Sequence, residues 1–453
     1  MGNLLTSLLN SANALRLFER GMGVVGNNVA NGNTPGYTKQ RLEFQADRFQ
    51  PDLGLPGGVS ASGVLDSRDE FAERDVRRQE ERYGYTSQMA AGMQALEPMF
   101  DIQEHSGISA AMDNFFQSLS ALTVAPNDTG ARQVALERAT AVATSFRATA
   151  DSLGETRRAT DRDLNSALQH MQSLGERLRE LNKQFRADYR AQQDAGLNAQ
   201  LFSTLEELSQ VADTTVLRQE DGSVTVYLGG QSLFLLGDRL YPVTADYSSS
   251  GVELTDAQGT DITGTIKEGR IGALLRMRNA EIPSYAADLN RLAAGLADAV
   301  NNTLAGGLDA NGNTPTQNLF NYDATTGAAK TLSEGGLAPE DLALAAPSAP
   351  QGNGNALALS QLDRAAALDG FTVSEFYGNI AARVGRGVTN ATELRKTQEQ
   401  IVAQAKEWRQ QISSVSLDEE AVLMLQYQRS FQSAARLVTT LDEMTDTLIN
   451  MLR

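Results

Sequence analysis

Two histidines are the first residues of this chain to examine for chemistry. His105 precedes Ser106 and Gly107, and His170 lies within a long helical pattern. Neither has a second histidine at the spacing of metal ligands, and the sequence contains no cysteine, which excludes disulfides, thiolate metal sites and cysteine nucleophiles. We therefore expect both histidines to be surface or helix-capping residues, and we expect no metal site.

One polar loop superficially resembles the start of a calcium-binding loop. It runs from Asp309 to Asn313, its sixth position is Thr314, and its twelfth position is Phe320. A calcium loop needs glycine for the sharp turn at the sixth position and a bidentate carboxylate at the twelfth. The sequence therefore predicts a polar turn here.

The other charged groups also have structural explanations. The Asp-Glu-Glu run at 418–420 falls in the first turn of the last predicted helix, where carboxylates interact favourably with the helix dipole. The run 68–82 alternates in sign along a helix, which is typical of a solvated face with weak ion pairs. The sequence has neither a phosphate-binding Gly-Lys-Ser/Thr loop nor a GxSxG nucleophile motif. We predict a protein that is not an enzyme and binds no cofactor.

Charge and hydropathy exclude two classes of partner. The chain has 453 residues and a formal net charge of −17, which repels phosphate backbones and anionic lipid. No segment approaches the ~18 apolar residues of a membrane span, and the N-terminus lacks the basic and apolar regions of a signal peptide. We expect no nucleic-acid binding and no membrane insertion.

Apolar residues at steps of three and four, strictly alternating in the N-terminal segment, mark an amphipathic helix at each end of the chain. Such spacing is typical of a coiled-coil seam. The N-terminal seam, interrupted by Ser11, consists of Leu4, Leu8, Leu15, Phe18, Met22, Val25 and Val29. The C-terminal seam consists of Leu417, Ala421, Met424, Tyr427, Phe431, Val438, Leu441, Met444 and Leu448. Since chain ends usually tolerate polar sequence, we predict that the two seams pair with each other and with neighbouring copies.

The charges of the two ends agree with this pairing. Residues 1–50 carry five basic and three acidic side chains, a net +2, and residues 413–453 carry three basic and six acidic side chains, a net −3. The ends therefore attract each other.

Between the seams the pattern is mostly helical. Periodicity predicts helices over 66–100, 108–122, 129–189, 198–211, 271–304 and 373–412, with Pro283 kinking or splitting the fifth. The period changes to two around Val224, which predicts a small β-meander over 214–266. The predicted fold is mainly α with a small β insertion (α+β). Its predicted domains are a helical core of 1–55 plus 413–453, a helical bundle of 56–213 plus 267–412, the meander, and an irregular segment at 306–354.

Several short stretches together carry a family resemblance. After the first helix the residues that match the signature of bacterial flagellar axial proteins are Asn27, Asn28, Asn31, Thr34, Gly36 and Tyr37. The signature alone does not distinguish between the rod, hook and junction proteins of this class. Five further stretches restrict the match to one of them: 58–64, 221–231, 272–279, 416–420 and 442–450. With them, the chain resembles the hook-associated proteins of the bacterial flagellum, found at the junction between hook and filament.

The resemblance implies a structural subunit that leaves the cell through the flagellar type III export apparatus without a cleaved signal peptide. It implies a ring of identical copies on the hook protein, connected to the next junction protein and the flagellin filament. It also implies an export chaperone on the C-terminal seam. Larger members of the family carry an outer β-domain after a stretch like 309–320, and here we expect that domain to be absent or reduced to part of 306–354.

Two alternatives remain open at this stage. One is a hook or distal rod protein of the same axial class, and the other is a cytosolic helical scaffold or a hydrolase with an unrecognised site.

Overall fold

The computed structural model of the chain describes residues 2–48, 57–100, 107–247 and 251–451. Two compact units divide it, and each is discontinuous in sequence. The terminal unit comprises Met1–Tyr83, His170–Val243 and Gln398–Arg453, and the central unit comprises Gly84–Gln169 and Thr244–Thr397. His105, one of the two histidines examined above, lies outside the described residues.

The terminal unit contains both ends of the chain. Its helices and strands are α1 (Gly2–Asn31), β1 (Gln40–Ala46), β2 (Val59–Asp66), α5 (Ala195–Val211), β3 (Thr214–Arg218), β4 (Val224–Leu228), β5 (Ser232–Leu236), β6 (Arg239–Leu240) and α11 (Leu417–Met451), with the short 3-10 helix Tyr189–Gln193. It also contains residues 70–83 of α2 (Glu70–Leu96), residues 170–187 of α4 (Thr129–Ala187) and residues 398–413 of α10 (Val373–Ser413).

Two antiparallel β-structures belong to the terminal unit. Strands β1 and β2 form a hairpin in which Gln40 faces Asp66, with a bulge between Glu43 and Phe44. Strands β3, β4, β5 and β6 form one sheet in sequence order. Alternating side chains of β4 are apolar and buried, as the period of two predicts.

The prediction of a single meander over 214–266 is wrong in one respect, because the strands of this region form two separate sheets. The four-stranded sheet ends at Leu240, and the pair β7 (Thr244–Asp246) and β8 (Glu253–Thr255) forms a separate sheet in the central unit. The Tyr241 amide still bonds to the Phe234 carbonyl, but Pro242 has no N–H to continue the ladder. A proline thus ends the sheet within the predicted run.

The central unit is a helical assembly around one apolar core. Besides the remaining parts of α2, α4 and α10, it contains α3 (Gly107–Val124), α6 (Gly269–Arg276), α7 (Ile282–Ala305), α8 (Ala328–Thr331), α9 (Gly354–Gln361) and the strands β7 to β10, of which β9 is Phe320–Asn321 and β10 is Ser333–Glu334. Short 3-10 helices lie at Glu97–Phe100, Pro339–Asp341 and Leu362–Arg364. The core contains Phe115 and Phe320, whose rings meet edge to face at 5.7 Å.

Local sequence signals explain several helix limits. Asp128 and Asp194 accept hydrogen bonds from the first amides of α4 and α5, so both act as N-caps. Thr372 and Glu375 form a reciprocal capping box at α10. The break predicted near Pro283 is a π-helical turn, Met277–Glu281, between α6 and α7.

The segment 306–354 has little regular structure but is not loose. The buried side chains of Phe320, Leu332, Leu342 and Leu344 join the core of the central unit. Its strands, β9 and β10, are two residues long, so these fully described residues hold no large β-domain. The predicted fold class, mainly α with small β elements, is confirmed.

Candidate assembly site at the terminal helices

Helices α1 and α11 of the terminal unit run antiparallel against each other. Successive contacts pair Gly32 with Val415, Asn28 with Glu420, and Phe18 with Tyr427. The sequence positions rise on α1 as they fall on α11. The two predicted seam helices are therefore neighbours within one chain.

An aromatic cluster joins the two helices to the β-hairpin. The ring centroids of Phe18, Phe44 and Tyr427 lie 6.0–6.5 Å apart, within the range of favourable aromatic pairs. Gly21 allows this approach, since a Cβ there would lie 3.0 Å from the Tyr427 ring. A Cβ at position 21 would require the Tyr427 ring to shift by a few tenths of an ångström.

The N-terminal seam is only partly covered in a single chain. Val25 is buried, Val29 is 46% exposed, and the other five predicted positions, Leu4, Leu8, Leu15, Phe18 and Met22, are half-buried. The polar position Ser11 is buried. On another side of α1, Leu5 and Leu9 are largely exposed.

The C-terminal seam is covered even less. Met424, Tyr427, Phe431, Val438 and Leu441 are half-buried. The exposed positions are Leu417, Ala421, Met444 and Leu448. The seams thus meet each other, yet part of their apolar surface, at Val29, Leu417, Met444 and Leu448, stays accessible to a further partner.

A groove of about 610 Å³ adds to this accessible surface. It lies between α1, β1 and the start of α11, and apolar side chains that include Val24, Leu42, Phe44 and Val422 line it. Phe44 and Val422 are both counted among the exposed large apolar residues. An apolar surface of this kind favours contact with another protein.

The signature residue Asn28 is the polar centre of the site. Its side chain is completely buried, and its amide donates to the Gln40 carbonyl at 2.9 Å and to Glu420 Oε2 at 3.0 Å. Its Oδ1 accepts from the Tyr37 hydroxyl at 2.9 Å and from the Gln40 amide at 3.0 Å. Every donor and acceptor capacity of the amide is used, which a buried polar group requires.

The other signature residues shape the turn after α1. Asn31 bonds to Asn27, and the Thr34 amide bonds to the Asn31 carbonyl, so the helix ends in a tight turn. Gly36 has φ +76, and a Cβ there would lie 2.4 Å from the Ala199 carbonyl oxygen. Both facts require glycine.

Tyr37 completes the turn. Its burial, together with the negative charges of Asp66 and Glu420, raises the pKa of Tyr37 to about 12. The phenol therefore stays neutral and keeps donating to Asn28.

Lys39 connects the turn to α11. Its ammonium lies 2.6 Å from Glu419 Oε2 and 3.3 Å from Glu420 Oε1, and its backbone amide donates to the Ser413 carbonyl at 2.9 Å. Oε1 of Glu420 has no aligned hydrogen bond, so its attraction to Lys39 is that of an ion pair. Ser416 caps α11, since the Glu419 amide donates to the Ser416 hydroxyl at 3.4 Å.

The interpretation of residues 68–82 as a solvated face is wrong. Glu73 and Glu80 are buried, and the Arg68 guanidinium bonds to Glu73 and to the Gly36 carbonyl while lying 3.9 Å over the Phe202 ring. The partners come from elsewhere in the terminal unit, so the local alternation of charge could not reveal them. This ion-pair cluster holds the signature turn against α2 and α5.

Residues of α10 complete the same cluster. Arg409 lies 3.1 Å from Glu73 and 2.7 Å from Glu206, and Lys406 lies 2.6 Å from Glu80 and 2.8 Å from Glu206. Burial by itself would raise the pKa of Glu206, but Arg409 and Lys406 outweigh it and lower that pKa below the ordinary value.

Glu81 contrasts with this cluster and gives a pH-dependent prediction. Burial raises the pKa of Glu81 to about 7, although the Thr214 amide and hydroxyl both donate to it. Because the folded state holds the proton more tightly, Glu81 contributes stability that is complete below the ordinary pKa of 4.5 and is lost as the pH rises towards 7. We expect Glu81→Gln, which keeps the acceptor, to raise the free energy of unfolding at pH 8 by on the order of 2–3 kcal/mol and to change it little at pH 4.5.

Urea unfolding of the wild type and of Glu81→Gln at both pH values measures this difference. Glu137→Gln, at an exposed position of α4, is the control. Equal shifts for Glu81→Gln at the two pH values would contradict the assignment.

The described residues that the sequence offers for chemistry lie in ordinary structural surroundings. His170 lies half-exposed, 3.2 Å from Glu207, and Asp309 accepts from the amides of Asn311 and Asn313 in a polar turn. No group of His, Asp or Glu side chains in the described part of the chain could hold a metal ion. Over the same residues, none of the helices has the length and apolarity to span a bilayer.

Comparison with known families decides the identity. Residues 93–320, half of the chain, match the family model of the flagellar hook-associated protein FlgK helical domain. The chain belongs to the flagellar hook-associated protein family. Residues 8–38 and 410–451 match two further models, the flagella basal body rod protein and the C-terminal region of the flagellar basal body rod FlgEFG proteins.

Relatives of this family resemble the chain over most of its length. Flagellar hook-associated protein 1 of Bacillus subtilis is 26% identical over 96% of both chains. The Escherichia coli protein of the same name is 23% identical over 68% of this chain and 59% of its own length. The structure of the flagellar hook junction protein FlgK from Burkholderia pseudomallei matches 75% of this chain and all of its own with a TM-score of 0.67 at 15% identity, which shows a shared fold.

Family membership has direct consequences. This hook-associated protein is a structural component of the bacterial flagellum and not an enzyme. It is an extracellular component exported by the flagellar system, and it assembles with other flagellar proteins.

Proposed function

We propose that the chain forms the junction ring between hook and filament and that its terminal helices drive assembly. The observation that carries this proposal is the incomplete cover of the seams. α1 and α11 pair within one chain, yet Leu5, Leu9, Met444 and Leu448 remain exposed at one end of the helix pair, and an apolar groove lies open towards the other end. Exposed apolar residues at this density favour a surface that other subunits cover.

Energetics favour the same conclusion. A fully covered apolar side chain contributes about 1.5–3 kcal/mol, and the half-buried seam residues realise only part of this within one chain. Ordering each residue costs about 1–2 kcal/mol. Neighbouring copies would increase the burial without ordering the helices again, so the terminal helices gain further stability in the assembly.

The proposed partners follow from this position. The ring of identical copies contacts the hook protein on one side and the next junction protein, followed by the flagellin filament, on the other. Before assembly an export chaperone covers the α11 seam, which the monomer leaves partly exposed. The domain division into a tube-lining core of 1–55 and 413–453 and a bundle of 56–213 and 267–412 belongs to the same proposal.

A deletion strain provides the test. Electron microscopy should show cells with complete hooks that lack filaments, and flagellin should accumulate in the medium. Re-expression of the intact chain should restore filaments. Filaments on normal hooks in the deletion strain would refute the proposal.

A second candidate is a hook or distal rod subunit, which the matches of both terminal segments to rod-protein models favour. The same experiment separates the two. Loss of a rod or hook subunit removes the hooks themselves, whereas loss of a junction subunit leaves them in place.

A further inference from the structure

The most buried residue of the amphipathic helix α11 is a carboxylic acid. All residues from Leu417 to Met451 are described, and among them the buried side chain is that of Glu420, which is 0% exposed. The aromatic seam residues Tyr427 and Phe431 are only half-buried. The closest fit between α11 and the rest of the terminal unit is therefore polar.

The surface that receives Glu420 is built from α1 and the strand that follows the turn. Asn28 donates to Oε2 at 3.0 Å, and the Lys39 ammonium lies 3.3 Å from Oε1. Both receiving side chains are themselves enclosed, since Asn28 is fully buried and the Lys39 side chain is 6% exposed. The bonds of Asn28 to Tyr37 and Gln40 fix the direction in which its amide points.

We propose that Asn28 and Lys39 form a receptor for one carboxylate in the first turn of a C-terminal amphipathic helix, and that Glu420, more than the apolar seam, decides whether α11 docks. An apolar stripe accepts many amphipathic helices, because hydrophobic contact is not directional. A buried ammonium and a buried amide reject any helix that leaves them without partners. The partner that this receptor selects is an amphipathic helix with a carboxylate at the position of Glu420.

The adjacent residue supplies a matched control. Glu419 also pairs with Lys39, at 2.6 Å, but its side chain is 65% exposed. Exposed ion pairs contribute little because water screens them. The receptor hypothesis therefore predicts very different consequences for two neighbouring acidic residues that share one lysine.

Hydrogen exchange of the purified full-length monomer tests the proposal. Mass spectrometry would follow amide exchange in peptides from 421–435 for the wild type, Glu420→Ala, Glu420→Gln, Glu419→Ala and Val438→Ala. We expect about tenfold or faster exchange for Glu420→Ala and less than about twofold change for Glu419→Ala, since each 1.4 kcal/mol of lost docking energy is tenfold in the opening equilibrium. Glu420→Gln keeps the acceptor for Asn28 and should fall between them.

Two further measurements separate loss of this one interaction from unfolding of the variant. Exchange in α3 of the central unit must stay unchanged, which excludes global unfolding of a variant. The double variant Asn28→Ala with Glu420→Ala should exchange more slowly than the product of the two single effects predicts, because the interaction can be lost only once. Similar rates for Glu420→Ala and Glu419→Ala, or a larger effect of Val438→Ala, would overturn the proposal. Because the monomer alone is measured, that outcome would leave the proposed junction role untouched.

Discussion

Glu206→Ala should lower the free energy of unfolding of the terminal unit by about 2–3 kcal/mol. Its carboxylate accepts from Arg409 at 2.7 Å and from Lys406 at 2.8 Å. Removing one member of a partly buried ion-pair cluster leaves charges without full compensation, which costs more than the intact pair contributes. Arg409 keeps Glu73 and Lys406 keeps Glu80, so the loss should fall below that of an isolated buried pair.

Glu207→Ala is the matched control, because Glu207 is the next residue of α5 and pairs with His170 and Arg177 at the surface. We expect a change below about 1 kcal/mol for that variant. Urea unfolding monitored by circular dichroism measures both variants, and equal losses of unfolding free energy would show that the cluster is no more important than a surface pair.

The lowered pKa of Glu206 also gives its contribution to stability a pH dependence. That contribution is present above the ordinary value of 4.5 and is lost as the pH falls through the folded pKa. The difference between wild type and Glu206→Ala should therefore shrink in acid.

The ion-pair cluster shows what sequence analysis could not supply. Glu73 alternates with arginines along α2, and this local pattern is the same for a solvated face and for a buried cluster. The distinction depends on Arg409, more than three hundred positions away, and on Glu206. Helical periodicity describes only neighbouring turns of one helix, so it cannot reveal ion-pair partners that are this far apart in the sequence.

The seams show the opposite case, in which periodicity predicted the elements well. Steps of three and four residues correctly predicted both terminal helices. The same steps predict less accurately which face of each helix is buried, because a seam of period 3.5 drifts by about 20° per heptad around a straight helix. At the end of α1 the buried residue is Asn28 and not Val29, and at the end of α11 Met444 and Leu448 turn towards solvent.

The signature residues were found by resemblance, and the structure supplies their physical reasons. Gly36 is required by its positive φ and by the Ala199 carbonyl, neither of which is visible in one sequence. The carboxylates at 418–420 were explained by the helix dipole alone, a reason that still holds for the first turn but misses the pairing of Glu420 with Asn28.

Phe431→Asp should abolish filament attachment while leaving the central unit folded. Phe431 is half-buried on the α11 seam of a single chain, and the proposed junction would cover the rest of its surface. Enclosing an unpaired carboxylate at a subunit interface costs several kcal/mol, and each copy in the ring would incur this cost. Leu15→Asp, on the α1 seam, should have the same effect for the same reason.

Cells that express only the variant chain should therefore carry hooks without filaments by electron microscopy. Detection of the variant in the medium separates failed assembly from failed export, because the proposed chaperone covers the same α11 seam before assembly. Gln432→Asp introduces the same charge on the next residue of α11, at an exposed position, and should leave filaments in place. This comparison separates the position of the charge from the charge itself. Filaments on cells with Phe431→Asp and on cells with Leu15→Asp would show that the seams are not the assembly interface, and the exposed residues Leu5, Leu9 and Val422 would then become the surface to mutate.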